Sequence, residues 1–222
     1  MDPRLRAAVD ESVSWYDDLF ALHGLGCRIS DGLWIGLGPP PPLHSAAKTV
    51  EPGVDPARAV AAVSTYEHCS VADSFGDLHL AGEWDLLFEA RWLHHPGLDR
   101  PVSLPSGWRR IDSREQLSAW TARHGTSDVL LPGLLERSGF AFAGRWVDGA
   151  LVADAVTHLG TGVVSLSNVW AADAVEDWPE LVRVVAALWP GRAIVGYEHG
   201  ESLEEALEAG FRAVGPQLVW AR

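Results

Sequence analysis

The chain has 222 residues, of which 47% are hydrophobic and 21% are charged, and its formal net charge is −13. This composition is typical of a globular protein, and the acidity argues against nucleic-acid binding because no basic cluster is present to neutralise phosphates. The sequence has no N-terminal targeting pattern and no apolar stretch long enough to span a bilayer, so we expect a cytoplasmic protein without membrane partners.

The N-terminal half predicts two helices joined by short strands. Apolar residues recur at helical spacing over residues 5–20, which predicts an amphipathic helix that ends before Gly24. Four consecutive prolines at 39–42 separate two strand-like runs and predict a stiff extended connection. Asp55 followed by Pro56 is typical of a helix start, since aspartate caps the first turn and proline fits its first position.

A linker is predicted between the two halves. Residues 96–107 are rich in Pro, Gly and Ser and contain few apolar residues. We therefore expect an N-terminal α/β lobe over residues 1–105 and a C-terminal lobe over residues 106–222. The adjacent pair His94 and His95 just before this linker does not predict a metal site, because neighbours on an extended segment point to opposite faces.

The C-terminal half has a clear alternation of elements. Asp112 and Glu115 form a capping-box pattern before a predicted helix over residues 114–124, and Asp128 opens a second predicted helix that continues to Leu135. Asp148-Gly149 is a strong hairpin signal between two strands. In order, this half predicts strand, helix, helix, three strands, helix, strand, helix and strand.

The end of the chain resembles the closing unit of the GNAT (Gcn5-related N-acetyltransferase) superfamily. An apolar run at 193–197 leads into a helix over residues 202–209, then Gly210-Phe211, then a second apolar run that ends at Trp220. Three further segments, 73–78, 88–92 and 167–170, look like those of a group of actinobacterial-type two-lobe GNAT-like proteins. The resemblance implies a mixed, mostly antiparallel sheet flanked by helices, with a diverged N-terminal lobe.

The resemblance also implies direct acyl transfer from acetyl-CoA to an amine. In this superfamily a base removes the ammonium proton, a backbone N–H of the fourth strand holds the developing oxyanion, and an acid protonates the departing thiolate. The strands that carry these groups splay apart, so residues at their ends face the site. This implies two catalytic candidates for the base (Glu198 and His199) and one for the acid (Tyr197).

The same correspondence implies the binding residues. Asn168 and Trp170 are expected to contact a small-molecule substrate, and Val169, Ala171 and Ala172 are expected to lie along the acyl-CoA.

Two parts of the superfamily pattern are missing. The loop that holds the cofactor pyrophosphate corresponds to Ala174, Val175, Asp177 and Pro179, none of which is the usual arginine or glycine. Side chains at the glycine positions and the acidic residues would oppose phosphate binding. Ala206 stands where many members carry a general-acid tyrosine.

Two classes of function therefore remain open. The first is an acetyl-CoA-dependent N-acyltransferase that acts on a small amine. The second is a GNAT-like protein without this activity, which either serves as a binding or interaction module or performs CoA-independent chemistry in a Trp-lined pocket. The 11 tryptophans fit either a packed core or such a pocket.

Overall fold

The structure is a computed structural model that describes residues 1–172 and 177–222. The described residues form an 11-stranded sheet in the order β1-β2-β3-β4-β11-β5-β10-β9-β8-β7-β6. Neighbouring strands run antiparallel except for β3 with β4 and β9 with β10. The strands are β1 (Cys27–Ser30), β2 (Leu33–Gly36), β3 (Ala47–Thr49), β4 (Ser70–Asp73), β5 (Asp85–His95), β6 (Trp108–Ile111), β7 (Phe140–Val147), β8 (Ala150–Leu159), β9 (Val164–Ala171), β10 (Ile194–Glu198) and β11 (Arg212–Ala221).

Five α-helices are described, and they pack on both faces of the sheet. The helices are α1 (Pro3–Leu22), α2 (Pro56–Ala62), α3 (Arg114–His124), α4 (Trp178–Leu188) and α5 (Gly200–Glu208). Neighbouring residues of β8 show the two layers: Val156 packs in the cluster with α1 and α3, whereas Ala155 packs in the cluster with α4 and α5. The predicted mixed, mostly antiparallel sheet flanked by helices is therefore confirmed. Among the described helices, none is both long and apolar enough to cross a membrane.

Helix α1 is fixed across the sheet by a buried ionic cluster. The carboxylate of Glu11 accepts hydrogen bonds from the backbone N–H groups of Gly160 and Thr161 at 3.0 and 2.8 Å, in the turn between β8 and β9. The ring of His158 lies between Glu11 and Asp18, at 2.6 and 3.0 Å. Because both ring nitrogens face carboxylates, the hydrogen bonds fit a protonated imidazolium.

One predicted helix is wrong. The segment that begins at Asp128 contains only a 3-10 helix, Pro132–Glu136, instead of an α-helix through Leu135. Proline has no N–H to donate and disfavours the helical conformation of the residue before it. Leu131 is accordingly extended, with φ −70° and ψ 152°. The apolar spacing that suggested a helix instead reflects packing under α3, where Leu130 and Leu134 are buried.

The two predicted lobes contribute to the same sheet. Strand β5, from the first half of the chain, lies between β10 and β11 from the second half. The long pairing of β5 with β11 extends from Arg212 opposite His94 to Ala221 opposite Asp85. A division of the chain near residue 105 remains a prediction about domains.

Candidate functional site

The site begins where β9 and β10 separate. The described residues of these parallel strands pair at two positions, Ile194 with Val164 and Val195 with Ser165. Beyond them, β10 remains paired with β5, and β9 remains paired with β8. The backbone of both strands therefore lines a gap that opens toward their carboxyl ends.

A β-bulge lies on the β9 side of this gap. Trp170 pairs with Asp154 and Ser167 pairs with Val156, so that two residues of β9, Asn168 and Val169, stand opposite one residue of β8. Asn168 has a φ of 49°, which is uncommon for a residue other than glycine. A bulge interrupts the regular ladder and redirects side chains, and bulges are over-represented beside active sites.

A cavity of about 390 Å³ lies at the gap, on the face of the sheet covered by α1. Its volume is within the range of small-molecule sites. Ser12 and Tyr16 form part of the α1 wall, and Phe88 and Trp92 of β5 form part of the sheet wall. The Trp92 indole is fixed because its Nε1 donates to the backbone oxygen of Ser74 at 3.0 Å.

The three predicted catalytic residues all line this first cavity. Tyr197, Glu198 and His199 follow one another at the end of β10 and the start of α5. The Tyr197 ring packs edge-on against Trp92 at 5.4 Å. Although 43% of the Tyr197 surface is exposed, protein atoms around its hydroxyl raise its pKa by desolvation, and Tyr16 and Glu198 add to the increase.

His199 occupies the N-cap position of α5 without a side-chain capping hydrogen bond. Its ring lies 6.1 Å from the ring of Phe88. No capping hydrogen bond therefore holds the imidazole at the helix end, and His199 lines the cavity beside Phe88.

The predicted binding residues fall in two different places. Asn168 lines the first cavity, where its Nδ2 donates to Ser167 Oγ at 3.0 Å. Trp170 lies instead in a second cavity of about 510 Å³, beside the start of α4. The three predicted cofactor residues, Val169, Ala171 and Ala172, line this second cavity as well. The side chains of neighbouring residues diverge here, because Val169 packs on the α4 side whereas the Trp170 ring lies against the guanidinium of Arg123 on α3 at 4.5 Å, on the other face of the sheet.

The described residues at the start of α4 do not fit a pyrophosphate. Asp177 caps the helix, and its side chain accepts from the Glu180 N–H at 2.9 Å, which occupies a donor that a phosphate would need. Pro179 has no N–H. The Glu180 carboxylate also lies in this cavity, where it accepts from Trp108 and pairs with Arg145 at 3.2 Å. The predicted loop positions Ala174 and Val175 lie outside the described residues.

The position at which many superfamily members carry a general-acid tyrosine is part of the core in this chain. Ala206 is fully buried, in the cluster that α4 and α5 form with the sheet. Phe211, the aromatic residue of the Gly-Phe pair, is buried in the same cluster and packs edge-on against Trp178 at 5.4 Å.

The α1 side of the first cavity was not predicted from the sequence. Ser12 and Tyr16 line it from α1, and His44 lines it from the loop before β3. Lys48 of β3 lies directly behind them, with its Nζ hydrogen-bonded to Ser12. The one sequence signal for this wall was a serine on the apolar stripe of α1, one turn from Ala8 and one turn from Tyr16.

Comparisons with known proteins support the fold. No protein-family model matches the chain, and no curated protein matches it significantly. Among solved structures, a GCN5-related N-acetyltransferase from Kribbella flavida is similar over 96% of this chain and 95% of its own, with a TM-score of 0.61 and 14% identity. A putative GNAT-family acetyltransferase from Novosphingobium aromaticivorans has a TM-score of 0.62 and 12% identity over the same shares. A functionally unknown conserved protein from Staphylococcus epidermidis has a TM-score of 0.58 and 9% identity over 88% of this chain and 92% of its own.

The chain therefore has the GNAT fold, as the resemblance of its closing segment predicted. The similarity covers nearly the whole chain, so the N-terminal half is included. At these low identities the comparison establishes the fold, and the chemistry depends on the residues around the two cavities.

Proposed function

We propose that this protein is an N-acyltransferase that transfers an acyl group, in the simplest case from acetyl-CoA, directly to a small-molecule amine. The observation that carries the proposal is the separation of β9 and β10 beside a small-molecule cavity lined by Glu198 and His199. The fold adds support, because two similar structures are described as acetyltransferases.

The first cavity is suited to an amine acceptor. An ammonium group must lose a proton before its nitrogen can attack an acyl carbon. Glu198 and His199 are the candidate bases, since both line the cavity and a carboxylate or a neutral imidazole can accept that proton. Tyr197 keeps its proton at neutral pH, as an ordinary tyrosine with a pKa of about 10 does, so its hydroxyl is available as a donor.

We assign the acyl donor to the α4 side of the gap. The bulge at Asn168 interrupts the β8–β9 ladder, and the backbone there is the candidate for binding the acyl oxygen. Val169, Ala171 and Ala172 line the second cavity with apolar surface. Because Asp177 and Glu180 do not suit a pyrophosphate, a bound acyl-CoA must hold its phosphates by other contacts.

The second candidate function is a binding module that has kept the fold without acyl transfer. The start of α4 favours this function. There the Asp177 cap and the Arg145–Glu180 ion pair occupy the place where free phosphate-binding donors would be needed. Such a protein would bind a small molecule in the first cavity, and this binding would not depend on CoA thioesters.

An acyl-transfer assay separates the two. Acetyl-CoA is incubated with the protein and a panel of small primary amines, and released thiol and acylated amine are measured together. The proposed function predicts both products in equal amounts, with thiol release that depends on the amine. Absence of acylated product with every amine, in a protein that still binds amines, would favour the binding module.

A further inference from the structure

The single lysine of the chain is buried beside the first cavity. Lys48 has 2% of its surface exposed. Its Nζ is hydrogen-bonded to Ser12 Oγ and lies 3.8 Å from the centroid of the Tyr16 ring. Lysine is almost never fully buried unless it is paired. None of the ion pairs among the described residues includes Lys48.

In the part of the chain that the structure describes, the titratable groups beside Lys48 are His44 and Tyr16, and neither carries a compensating charge near neutral pH. Burial lowers the pKa of His44 to about 4, and the charge of Lys48 contributes to this decrease. The Nδ1 of His44 faces the backbone oxygen of Pro42 at 3.0 Å, and its Nε2 accepts from Trp15 Nε1 at 3.4 Å, which fits a neutral ring. Burial raises the pKa of Tyr16, so its hydroxyl is neutral too.

Lys48 itself is close to the point of losing its charge. Burial lowers the pKa of its amine to about 7. An anion brought near the amine would favour the charged form, and the ammonium would in turn stabilise the anion. The affinity for an anion and the protonation of Lys48 are therefore linked.

Ser12 connects Lys48 with the cavity. Ser12 lines the cavity, whereas Lys48 lies behind it. A serine hydroxyl has one proton and two lone pairs. When it accepts from the Lys48 ammonium, its own proton can be donated to a group in the cavity. Among the described residues, the hydroxyl of Ser12 has no hydrogen bond besides the one with Lys48.

We propose that Ser12, with Lys48 behind it, forms a subsite for the carboxylate of a ligand that has an apolar body. One hydroxyl donor and one cation match one negative charge, and Trp15, Phe88 and Trp92 provide the apolar surface for the body. The chemistry at the other end of the ligand rests on the proposed function. That end carries the acceptor amine, which faces Glu198 and His199, so the ligand is an amino acid in the broad chemical sense.

The single lysine permits a direct test by NMR. Protein labelled with ¹³C and ¹⁵N in lysine alone has one lysine side chain to observe. Benzoate is titrated into it, with benzamide as the neutral molecule of the same shape. We expect benzoate to shift the Lys48 Cε resonance and to raise the Lys48 pKa by about one unit or more, which corresponds to at least tenfold linkage. We expect benzamide to leave this pKa unchanged.

Three results of the titration would contradict the proposal. A Lys48 resonance that does not respond to millimolar benzoate overturns the subsite, and so does an equal response to benzoate and benzamide. A response to inorganic phosphate without one to benzoate overturns the assignment of a carboxylate.

Variants test which residues form the subsite. We expect Ser12→Ala and Lys48→Met each to weaken benzoate binding about tenfold or more, because a charge-assisted hydrogen bond is lost. Tryptophan fluorescence reports the binding, since Trp15 and Trp92 line the cavity. The control is Arg58→Met, which removes an exposed cation on α2. If Lys48→Met does not fold, Ser12→Ala decides, and unchanged benzoate affinity in Ser12→Ala overturns the proposal.

A matched pair of acceptors connects the subsite with acyl transfer. 4-(Aminomethyl)benzoate and 4-(aminomethyl)benzamide present the same amine and differ in the charge at the other end. We expect kcat/KM to favour the carboxylate about tenfold, and Lys48→Met to remove the preference. Equal kcat/KM values contradict the subsite. If neither compound is acylated, the assay with the whole amine panel decides the proposed function, and the NMR titration decides the subsite alone.

Discussion

His158 and Lys48 are two buried basic residues whose surroundings differ in charge. His158 is fully buried and lies between the carboxylates of Glu11 and Asp18, so its charge is compensated within the fold. Lys48 is buried to a similar extent with a hydroxyl and an aromatic ring as neighbours. The charge of His158 is satisfied within the fold, whereas the charge of Lys48 can be satisfied by a ligand.

The contribution of His158 to stability should depend on pH. Burial lowers its pKa, but the hydrogen bonds with Glu11 and Asp18 outweigh burial and raise the pKa above the ordinary value. Because the folded pKa is raised, the stabilisation is fully present below the unfolded pKa of about 6.5 and is lost as pH rises through the folded pKa. We expect the difference in unfolding free energy between the wild type and His158→Gln to shrink between pH 6 and pH 9, measured by urea denaturation.

The control for this experiment is His68→Gln, at an exposed position. Its unfolding free energy should follow that of the wild type at every pH. A difference between the wild type and His158→Gln that stays constant over this range would show that His158 is not charged in the fold.

The base assignment is tested by Glu198→Gln and His199→Ala. If one of these residues removes the amine proton, its replacement should lower kcat by about 10²- to 10⁴-fold. The rate should recover at high pH, where the amine loses its proton to solvent. Glu208→Gln, at an exposed position on α5, is the matched control and should leave kcat unchanged. Unchanged rates in both site variants would reject the assignment.

At the scale of elements, the separation of β9 and β10 is the feature on which the site depends. Gly196 is the first residue of β10 beyond its pairing with β9. A Cβ at this position would lie 2.9 Å from the backbone oxygen of Leu166. Since that atom belongs to the backbone, it cannot rotate away as a side chain would.

We expect Gly196→Ala to destabilise the fold by about 1–3 kcal/mol, as overpacked positions do. Chemical denaturation measures this change. The control is Gly26→Ala, where the added Cβ would meet a side-chain carbon of Leu37 at an ordinary 3.4 Å. A Gly196→Ala variant as stable as the wild type would mean that the two strands are not held this close.

Local patterns predicted most elements of the fold. The apolar spacing of α1, the cap at Asp55 and the hairpin at Asp148-Gly149 are all determined by neighbouring residues, and the structure confirms each. The helix predicted from Asp128 was wrong because apolar spacing was given more weight than Pro132. The bulge at Asn168 could not be predicted, because it depends on the register between β8 and β9.

The site was predictable only in part, for the same reason. Tyr197, Glu198 and His199 could be predicted as site residues because the end of β10 is recognisable from the closing segment, and all three line the first cavity. Ser12 and Lys48 are 36 residues apart and meet only when α1 packs over the sheet beside β3. No local pattern in the sequence signals such a contact.

For the whole molecule, the acidic character limits how acyl-CoA could be bound. The formal net charge is −13, and Arg145, the basic residue of the second cavity, is already paired with Glu180. A cofactor with several phosphates would therefore meet an unfavourable field over much of the surface. Binding of a CoA thioester is consequently the property on which the proposed function depends most.

Calorimetric titration with acetyl-CoA tests this question most directly, with thermal unfolding of the same samples as the second readout. An acyltransferase should show saturable heat for one site, and its melting temperature should rise with ligand concentration. At 100 times the Kd, the gain in unfolding free energy is about 2.7 kcal/mol. No heat and no thermal stabilisation at millimolar acetyl-CoA would contradict the proposed acyltransferase.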